Sequence, residues 1–595
     1  MNDSELHLLQ EPAKTLRKVP PRVVIENVRP EVNKGRFPVK RVAGEELEVT
    51  ADIHCDGTDV LMAVLRYRLR GEASWKETEM ISEPNDVWRG RFTPEAPGNY
   101  EYTLEAWVNN CADRGGAVAY GVLPLVVERE RAQFGAWYEM FPRSAGNSLQ
   151  RGTSLREAEA RLPDIARMGF DVLYLPPVHP IGTSYRKGPN NSTETHPGDP
   201  GSPWAIGSPE GGHAAVHPEL GTLADFDHFV DAARGRGLEV ALDMAFQCSP
   251  DHPYVREHPE WFHHRPDGRV QCAENPPKKY EDIYPLNFES ENWEALWEEL
   301  KNVVMFWIRR GIRIFRVDNP HTKPYRFWEW LISGVRSEYP ETIFLAEAFT
   351  RPKVMAYLAQ CGFSQSYSYF TWRNTKREIE EYFTELYLTP VREFMRPNLF
   401  TNTPDILHEF LQRGGRPAFQ IRLFLAATLG ASYGIYGPAF ELCEARAVPG
   451  TEEYQDSEKY QIRSWSTGES GNIKEWVTLV NRIRHENPAL RCNHRLRFYP
   501  VSSDSLLCYS KTTPDLSNIV LVAVNLDPHH AHEGWVQLSL PELGLEPDHP
   551  YQVHDLLSDA WYSWRGPSNY VRLDPGVCPA HIFQLQRGLP GGAKP

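Results

Sequence analysis

A chain of 595 residues is too long for one hydrophobic core, so about two to four domains are expected. Its 64 basic and 79 acidic residues leave a net charge of −15, which argues against a nucleic-acid or anionic-membrane surface and confines any phosphate to a local basic pocket. Nine scattered cysteines without a CxxC pair point to reduced thiols and no zinc site, and the lack of an apolar leader or of any apolar run of about 18 residues reads as a non-secreted, cytoplasmic protein.

In chain order, residues 1–20 read as a tail. From 21 to 130, short alternating runs broken by Gly, Pro and Asn predict an N-terminal, Ig-like β-sandwich: VVIENV (23–28), LEVTADIHC (47–55), VLMAVLRYRL (60–69), NYEYTLEAWV (99–108) and VLPLVV (122–127). From 131 to 490 the rhythm changes to apolar strand, helix, apolar strand. Its candidate strands are GAWYEMF (135–141), DVLYLPP (171–177), LEVALDMA (238–245), RIFRVD (313–318), TIFLAE (342–347), SYSYF (366–370), NLFTN (398–402) and SYGIYG (432–437). Between them lie helical stretches such as SLREAEARLPDIARMG (154–169), TLADFDHFVDAARGRG (222–237) and NWEALWEELKNVVMFWIRRG (292–311), the last with an apolar face and a glycine C-cap. This alternation predicts an α/β fold, a (β/α)₈ TIM barrel, with a loop-rich insertion after strand 3, about 246–290, that suits a lid or subdomain at the catalytic mouth. From 491 to 588, LRFYPVS, SLLCYSKTT, NIVLVAVNLD, GWVQLSL and HIFQLQR alternate again as a C-terminal β-sandwich, and 589–595 form a second tail.

Three of the apolar runs close on an acid: RIFRVD on Asp318, TIFLAE on Glu347 and NLFTNTPD on Asp405. A buried parallel strand ending on a carboxylate opens onto the barrel mouth, so three such acids make glycosyl chemistry the first expectation. Asp318 suits a nucleophile, oriented and kept ionised by Arg316 two residues earlier on the same strand face. Glu347 lies among apolar neighbours that should keep it protonated as general acid. Asp405 suits a third carboxylate that hydrogen-bonds the sugar's 2- and 3-hydroxyls; its alternative is an N-cap for the helix ILHEFLQ. Carboxylates on adjacent barrel strands can lie about 5 Å apart, as a retaining double displacement needs. In the insertion, ENPPKKY (274–280) brings an Asn, two Lys and a Tyr to the mouth, the donors that a phosphate leaving group requires; a solvated loop pair is the alternative for its lysines.

With Asp243 on the third strand, these acids fall in four spaced regions that resemble glycoside hydrolase family 13, the α-amylase family, over about residues 134–590. Amylases of that family usually carry Asn-His after the first acid and His-Asp in the last region; here Gln247-Cys248 and Asn402-Thr403-Pro404-Asp405 stand in those places. Together with FGAWYEMFPRS (134–144), HPIGTSYRKGPNN (179–191), ENPPKKYEDIYPLNF (274–288), YGIYGPAFELCE (433–444) and DSEKYQIR (456–463), the departures resemble the α-1,4-glucan:maltose-1-phosphate maltosyltransferases.

That resemblance implies Asp318 as nucleophile, Glu347 as proton donor and Asp405 as transition-state stabiliser, supported by Arg316 and Asp243. It implies donor binding by Lys187, Gln247, Asp282, Asn319, Lys459 and Tyr460, and phosphate contacts from Asn275, Lys278 and Tyr280. The implied reaction moves maltosyl from α-maltose 1-phosphate to the non-reducing end of an α-1,4-glucan and releases phosphate, without a metal or other cofactor. An α-glucan hydrolase or a trehalose-synthase-type isomerase would use the same trio, but gives no reason for NPPKKY. The family carries a helical insertion in its N-terminal domain that contributes to dimer contacts; here 109–127 joins strands through about a dozen residues, which weakens the expectation of a homodimer.

Overall fold

The structure is a computed structural model that describes residues 22–109, 114, 116–147, 151–275, 278–468 and 470–586, apart from the side chains of Asn275 and Lys278. It divides into two compact units, residues 1–129 and 130–595.

The described residues of the first unit form ten strands: β1 (Val23–Arg29), β2 (Val39–Val42), β3 (Leu47–Cys55), β4 (Leu61–Leu69), β5 (Lys76–Glu79), β6 (Ile81–Ser82), β7 (Val87–Phe92), β8 (Gly98–Val108), β9 (Val118–Ala119) and β10 (Leu123–Glu128). One sheet runs β1-β3-β7-β6 and the other β2-β10-β8-β4-β5, with β9 beside β8. Alternation does what period two requires: Leu47, Val49, Ala51 and Ile53 of β3 are buried while their neighbours are partly open. The sheets meet closely at Gly90 of β7, where a Cβ would lie 3.0 Å from the Leu65 Cβ of β4. The sequence reading did not find β2, β5, β6 or β7. β5 is the charged edge run KETE, and β7, VWRGRF, is interrupted by arginines and a glycine, so neither reads as an apolar strand. Residues 110–113 and 115, within the short connection after β8, lie outside the described residues.

In the second unit, β11 (Gly135–Glu139), β12 (Val172–Leu175), β13 (Glu239–Met244), β18 (Ile314–Asp318), β19 (Ile343–Glu347), β20 (Gln365–Ser366), β21 (Asn398–Phe400) and β22 (Ser432–Tyr436) form a parallel sheet ordered β20-β19-β18-β13-β12-β11-β22-β21. A parallel bridge from Ser366 to Pro397 draws its two ends together, and the molecule is the expected TIM barrel. Trp137, Val172, Tyr174, Ala241, Ile314, Leu345, Tyr367 and Phe400 fill a common core cluster. SYSYF is corrected: the sixth strand stops at Ser366, because the Ser368 hydroxyl accepts from the Phe370 N–H (3.4 Å) and turns the chain into a 3₁₀ segment at Tyr369–Trp372.

Helix α1 (Leu223–Arg234) opens on a Thr222–Asp225 capping box, and α2 (Trp293–Arg309) stops before Gly311, whose φ of +91° suits glycine. The single helix expected over 154–169 is three short pieces, with Pro163 opening the last, Leu162–Arg167. The insertion after β13 contains two small antiparallel pairs: β14 (Gln247–Cys248) with β17 (Tyr284–Pro285), and β15 (Ala273–Asn275) with β16 (Lys278–Tyr280). The C-terminal part carries a six-stranded and a two-stranded sheet, including strands at Pro550–Asp555, Ala560–Arg565 and Ser568–Leu573 that the sequence reading passed over. Tyr509 Oη and Thr428 Oγ1, 2.6 Å apart, and Lys511 Nζ donating to the Leu429 carbonyl tie the six-stranded sheet to helix α4 (Glu409–Leu429), with α3 (Tyr325–Glu338) lying earlier on the barrel.

Candidate active site at the carboxyl ends of the barrel strands

β18 and β19 pair in register so that Asp318 stands opposite Glu347 at their carboxyl ends. One guanidinium organises the acids around it. Arg316 Nη1 donates to Asp243 Oδ2 (2.9 Å) and Asp318 Oδ1 (2.8 Å), and Nη2 lies 3.5 Å from Glu347 Oε1. Tyr174 and Tyr367 flank the cation at 5.8 Å each, and Tyr174 Oη donates to Asp243 Oδ2 at 2.6 Å.

Two cations, Arg316 and Lys323, face three buried carboxylates and cannot neutralise them all, so the most weakly held acid keeps a proton. Glu347 is that acid: its contact with Arg316 is the longest of the three, and its other oxygen accepts the Asn319 N–H at 3.2 Å. Burial pushes its carboxyl up to about 7, against the pull of Arg316 and with the push of Asp318. Burial pushes Asp243 up to about 7 as well, with Arg316 and Tyr174 opposing the rise and Asp318 adding to it, so it is the longer contact with Arg316 that sets Glu347 apart. Asn319 adopts a left-handed conformation (φ 43°, ψ 52°), which turns its N–H to Glu347 while its side-chain amide donates to Asp318 Oδ2 at 3.3 Å.

Asp405 sits in a tight turn closed by Thr403 and Ile406, with its side chain 40% exposed and its Oδ1 accepting from Lys459 Nζ at 2.7 Å. It does not cap α4, since His408 accepts the Phe410 N–H there. Lys459 also lies over the rings of Trp204 (5.2 Å) and Tyr460 (5.8 Å). Lys187, 2% exposed, donates to Glu281 and to the Lys279 carbonyl. Asp282 is also 2% exposed; burial pushes it up to about 6, and both Lys187 and Lys459 pull it down. Gln247 donates from Nε2 to the Trp204 carbonyl at 3.2 Å, and Tyr280 is close enough to act electrostatically on both Lys459 and Tyr460. The site residues named from sequence thus gather around one mouth, except that the side chains of Asn275 and Lys278 lie outside the described residues; their backbones pair between β15 and β16.

Several side chains were missed. Glu139 closes β11, is 1% exposed, and is pushed well above the carboxylate range by burial despite Arg316. Its signal was legible, because GAWYE also ends an apolar run on an acid. Lys323 donates to the carbonyls of Asp318 (3.4 Å) and Asn319 (3.2 Å) at the carboxyl end of β18. Below Gln247, the buried His213, Cys248 and His252 cluster. The His252 Nδ1 accepts the Tyr254 N–H, so its Nε2–H donates to His213 Nδ1 (3.1 Å), whose own Nε2–H donates to the Ala245 carbonyl (2.9 Å). Burial holds His213 at about 4 and His252 at about 2, so both rings are neutral links and neither has a ring nitrogen left for a metal without breaking a bond. No periodicity in the sequence brings residues 213 and 252 together.

Comparison with known proteins decides the family. A protein of Chlorobaculum tepidum named α-1,4-glucan:maltose-1-phosphate maltosyltransferase is 47% identical over 645 aligned residues, covering 95% of this chain and 96% of the relative. The chain belongs to the α-1,4-glucan:maltose-1-phosphate maltosyltransferase family. A maltosyltransferase of Myxococcus xanthus is 46% identical over 648 residues, covering 95% of this chain and 97% of the relative. Family models match at both ends: "Alpha-1,4-glucan:maltose-1-phosphate maltosyltransferase, domain N/S" over residues 21–114 and "GLGE, C-terminal" over 498–585. Among solved structures, a cyclomaltodextrinase shares the fold at a TM-score of 0.61 and 14% identity, covering 95% of this chain and 99% of that one. The acarbose-complexed α-amylase of Geobacillus thermoleovorans does so at 0.59 and 16%, covering 76% and 99%. The alignments with these maltosyltransferases run longer than the 595 residues here, so the relatives carry segments that this chain lacks.

Proposed function

We propose that the chain is a retaining glycosyltransferase that moves maltosyl from α-maltose 1-phosphate to the non-reducing end of an α-1,4-glucan and releases phosphate. The observation that carries the chemistry is the Arg316 guanidinium shared among Asp243, Asp318 and Glu347, with Glu347 the most loosely held. Family membership supplies the donor and acceptor.

In the first displacement an Asp318 carboxylate oxygen attacks the anomeric carbon, the bond to the phosphate oxygen breaks, and Glu347 gives its proton to the leaving phosphate. In the second, Glu347, now a carboxylate, takes the proton of the acceptor's 4-hydroxyl, whose oxygen attacks the same carbon and frees Asp318. Asp405, held by Lys459, hydrogen-bonds the sugar hydroxyls as the ring flattens. Lys187, Gln247, Asp282, Asn319, Lys459 and Tyr460 bind the donor, and Asn275, Lys278 and Tyr280 meet its phosphate, where local cations offset a chain of net charge −15.

Incubating the purified chain with α-maltose 1-phosphate and a maltooligosaccharide should release phosphate while the acceptor lengthens by whole maltosyl units. Release of reducing sugar from the oligosaccharide with no phosphate from the donor would establish the hydrolase instead.

A further inference from the structure

Tyr185 is the most exposed aromatic among the described residues, 67% accessible, and its backbone holds φ at +54°. L side chains rarely adopt that conformation, and a tyrosine in it needs a surrounding structure that enforces it. The enforcing contacts are present on both sides. Asp251 Oδ2 accepts from the Thr183 N–H (2.7 Å), the Thr183 hydroxyl (3.1 Å) and the Ser184 N–H (2.7 Å), and its Oδ1 accepts from the Ser184 hydroxyl (2.6 Å). Arg186 donates to the carbonyls of Gly182 (2.8 Å), Ile181 (3.1 Å) and Asp199 (3.0 Å). A fully hydrogen-bonded pedestal therefore holds a large ring out in water, where burial returns almost nothing.

The ring stands beside the insertion after β13: it is close enough to act electrostatically on Tyr284 of β17, the strand that pairs with Gln247 and Cys248 of β14. Lys187, two residues on, is 2% exposed and belongs to the wall that includes Asp282, also 2% exposed, and Tyr460, 5% exposed. These three side chains, proposed to bind the donor, are buried, whereas Tyr185 is open to water. A ring two-thirds exposed beyond the wall is reached only by a ligand that continues into solvent, and in this reaction that ligand is the glucan. A phenol ring offers an apolar face for the C–H face of a glucose unit and a hydroxyl for its rim. The geometry points to Tyr185 as a stacking platform for a glucosyl unit of the α-glucan acceptor where the chain leaves the cleft, an assignment that rests on the transferase reading.

The test uses the full chain with Tyr185→Gly and Tyr185→Trp, and reads calorimetric binding of maltoheptaose without donor beside the KM values for donor and acceptor. Glycine accepts a positive φ without strain, so the first variant should unfold no earlier than wild type, which separates ring loss from misfolding. Tyr185→Gly should weaken maltoheptaose binding and raise the acceptor KM about 3- to 10-fold while the donor KM holds; Tyr185→Trp should bind as wild type does. Unchanged binding in the glycine variant, equal weakening in both variants, no binding by wild type, or a rise in donor KM alone would each overturn the platform. Ring-dependent binding without phosphate release from the donor would leave the platform standing and remove the transferase reading.

Discussion

Glu347 shows how placement sets a side chain's task. It ends its strand in the same way as Asp318, but Asp318 receives Arg316 at 2.8 Å and Glu347 only at 3.5 Å, and burial pushes Glu347 up to about 7. The protonated acid needed for the first displacement is therefore present below about pH 7, and the rate of phosphate release should fall as pH rises through that value. Glu347→Gln should lower release from the phosphate donor by about 10²- to 10⁴-fold, yet spare a maltosyl fluoride, whose leaving group needs little protonation. The stability sign runs the same way: a carboxyl raised from 4.5 to about 7 contributes fully below about pH 4.5, and its contribution is lost as pH rises through about 7. Thermal unfolding should thus find Glu347→Gln neutral in acid and more stable than wild type at pH 8; a variant less stable at pH 8 would mean that Glu347 is held ionised.

Strand β22 shows how an element without catalytic groups governs the site. Its Gly434 faces the barrel interior, and a Cβ there would lie 2.5 Å from the Phe400 ring. Phe400 stacks on Tyr367 at 4.5 Å, and Tyr367 lies under the Arg316 guanidinium. Close-packed interiors transmit such a displacement rather than absorb it. Gly434→Ala should cost about 1–3 kcal/mol of stability and lower kcat at least several-fold with little change in KM. Differential scanning calorimetry and steady-state kinetics check both; an unchanged kcat beside a lowered Tm would show that the strain stops at Phe400. The sixth strand carries the opposite lesson. Its sequence, SYSYF, has the aromatic alternation of a strand, but one local hydrogen bond from Phe370 to Ser368 ends pairing at Ser366. Propensity was readable there; the competition between a side-chain acceptor and a ladder partner was not.

Across the molecule, an assembled mouth should make stability depend on ligands. A donor analogue that cannot lose its phosphate, supplied at 100 times its Kd, should raise unfolding free energy by about 2.7 kcal/mol, read as a concentration-dependent rise in Tm. Maltose at the same concentration should give a smaller rise, and equal shifts for the two would show that no group of the chain engages the phosphate. Among the described residues no helix is long and apolar enough to cross a membrane, and the eight described cysteines are not joined in disulfides, with Cys111 outside the described residues.

Much of this was legible in the order of residues. Period-two runs marked the sheets, strand–helix alternation marked the barrel, and acids closing apolar runs marked Asp318, Glu347 and Asp405, because these patterns follow from backbone geometry and the cost of burying charge. Glu139 was missed although it carries the same signal. What the linear order could not express was simultaneity: one Arg316 dividing its donors unequally among three acids, Lys187 and Lys459 both acting on Asp282, and His213 bonded to His252 across 39 positions of chain. Those arrangements depend on distances between segments remote in sequence, which only packing fixes, and it is the distances that separate a carboxylate from a carboxylic acid.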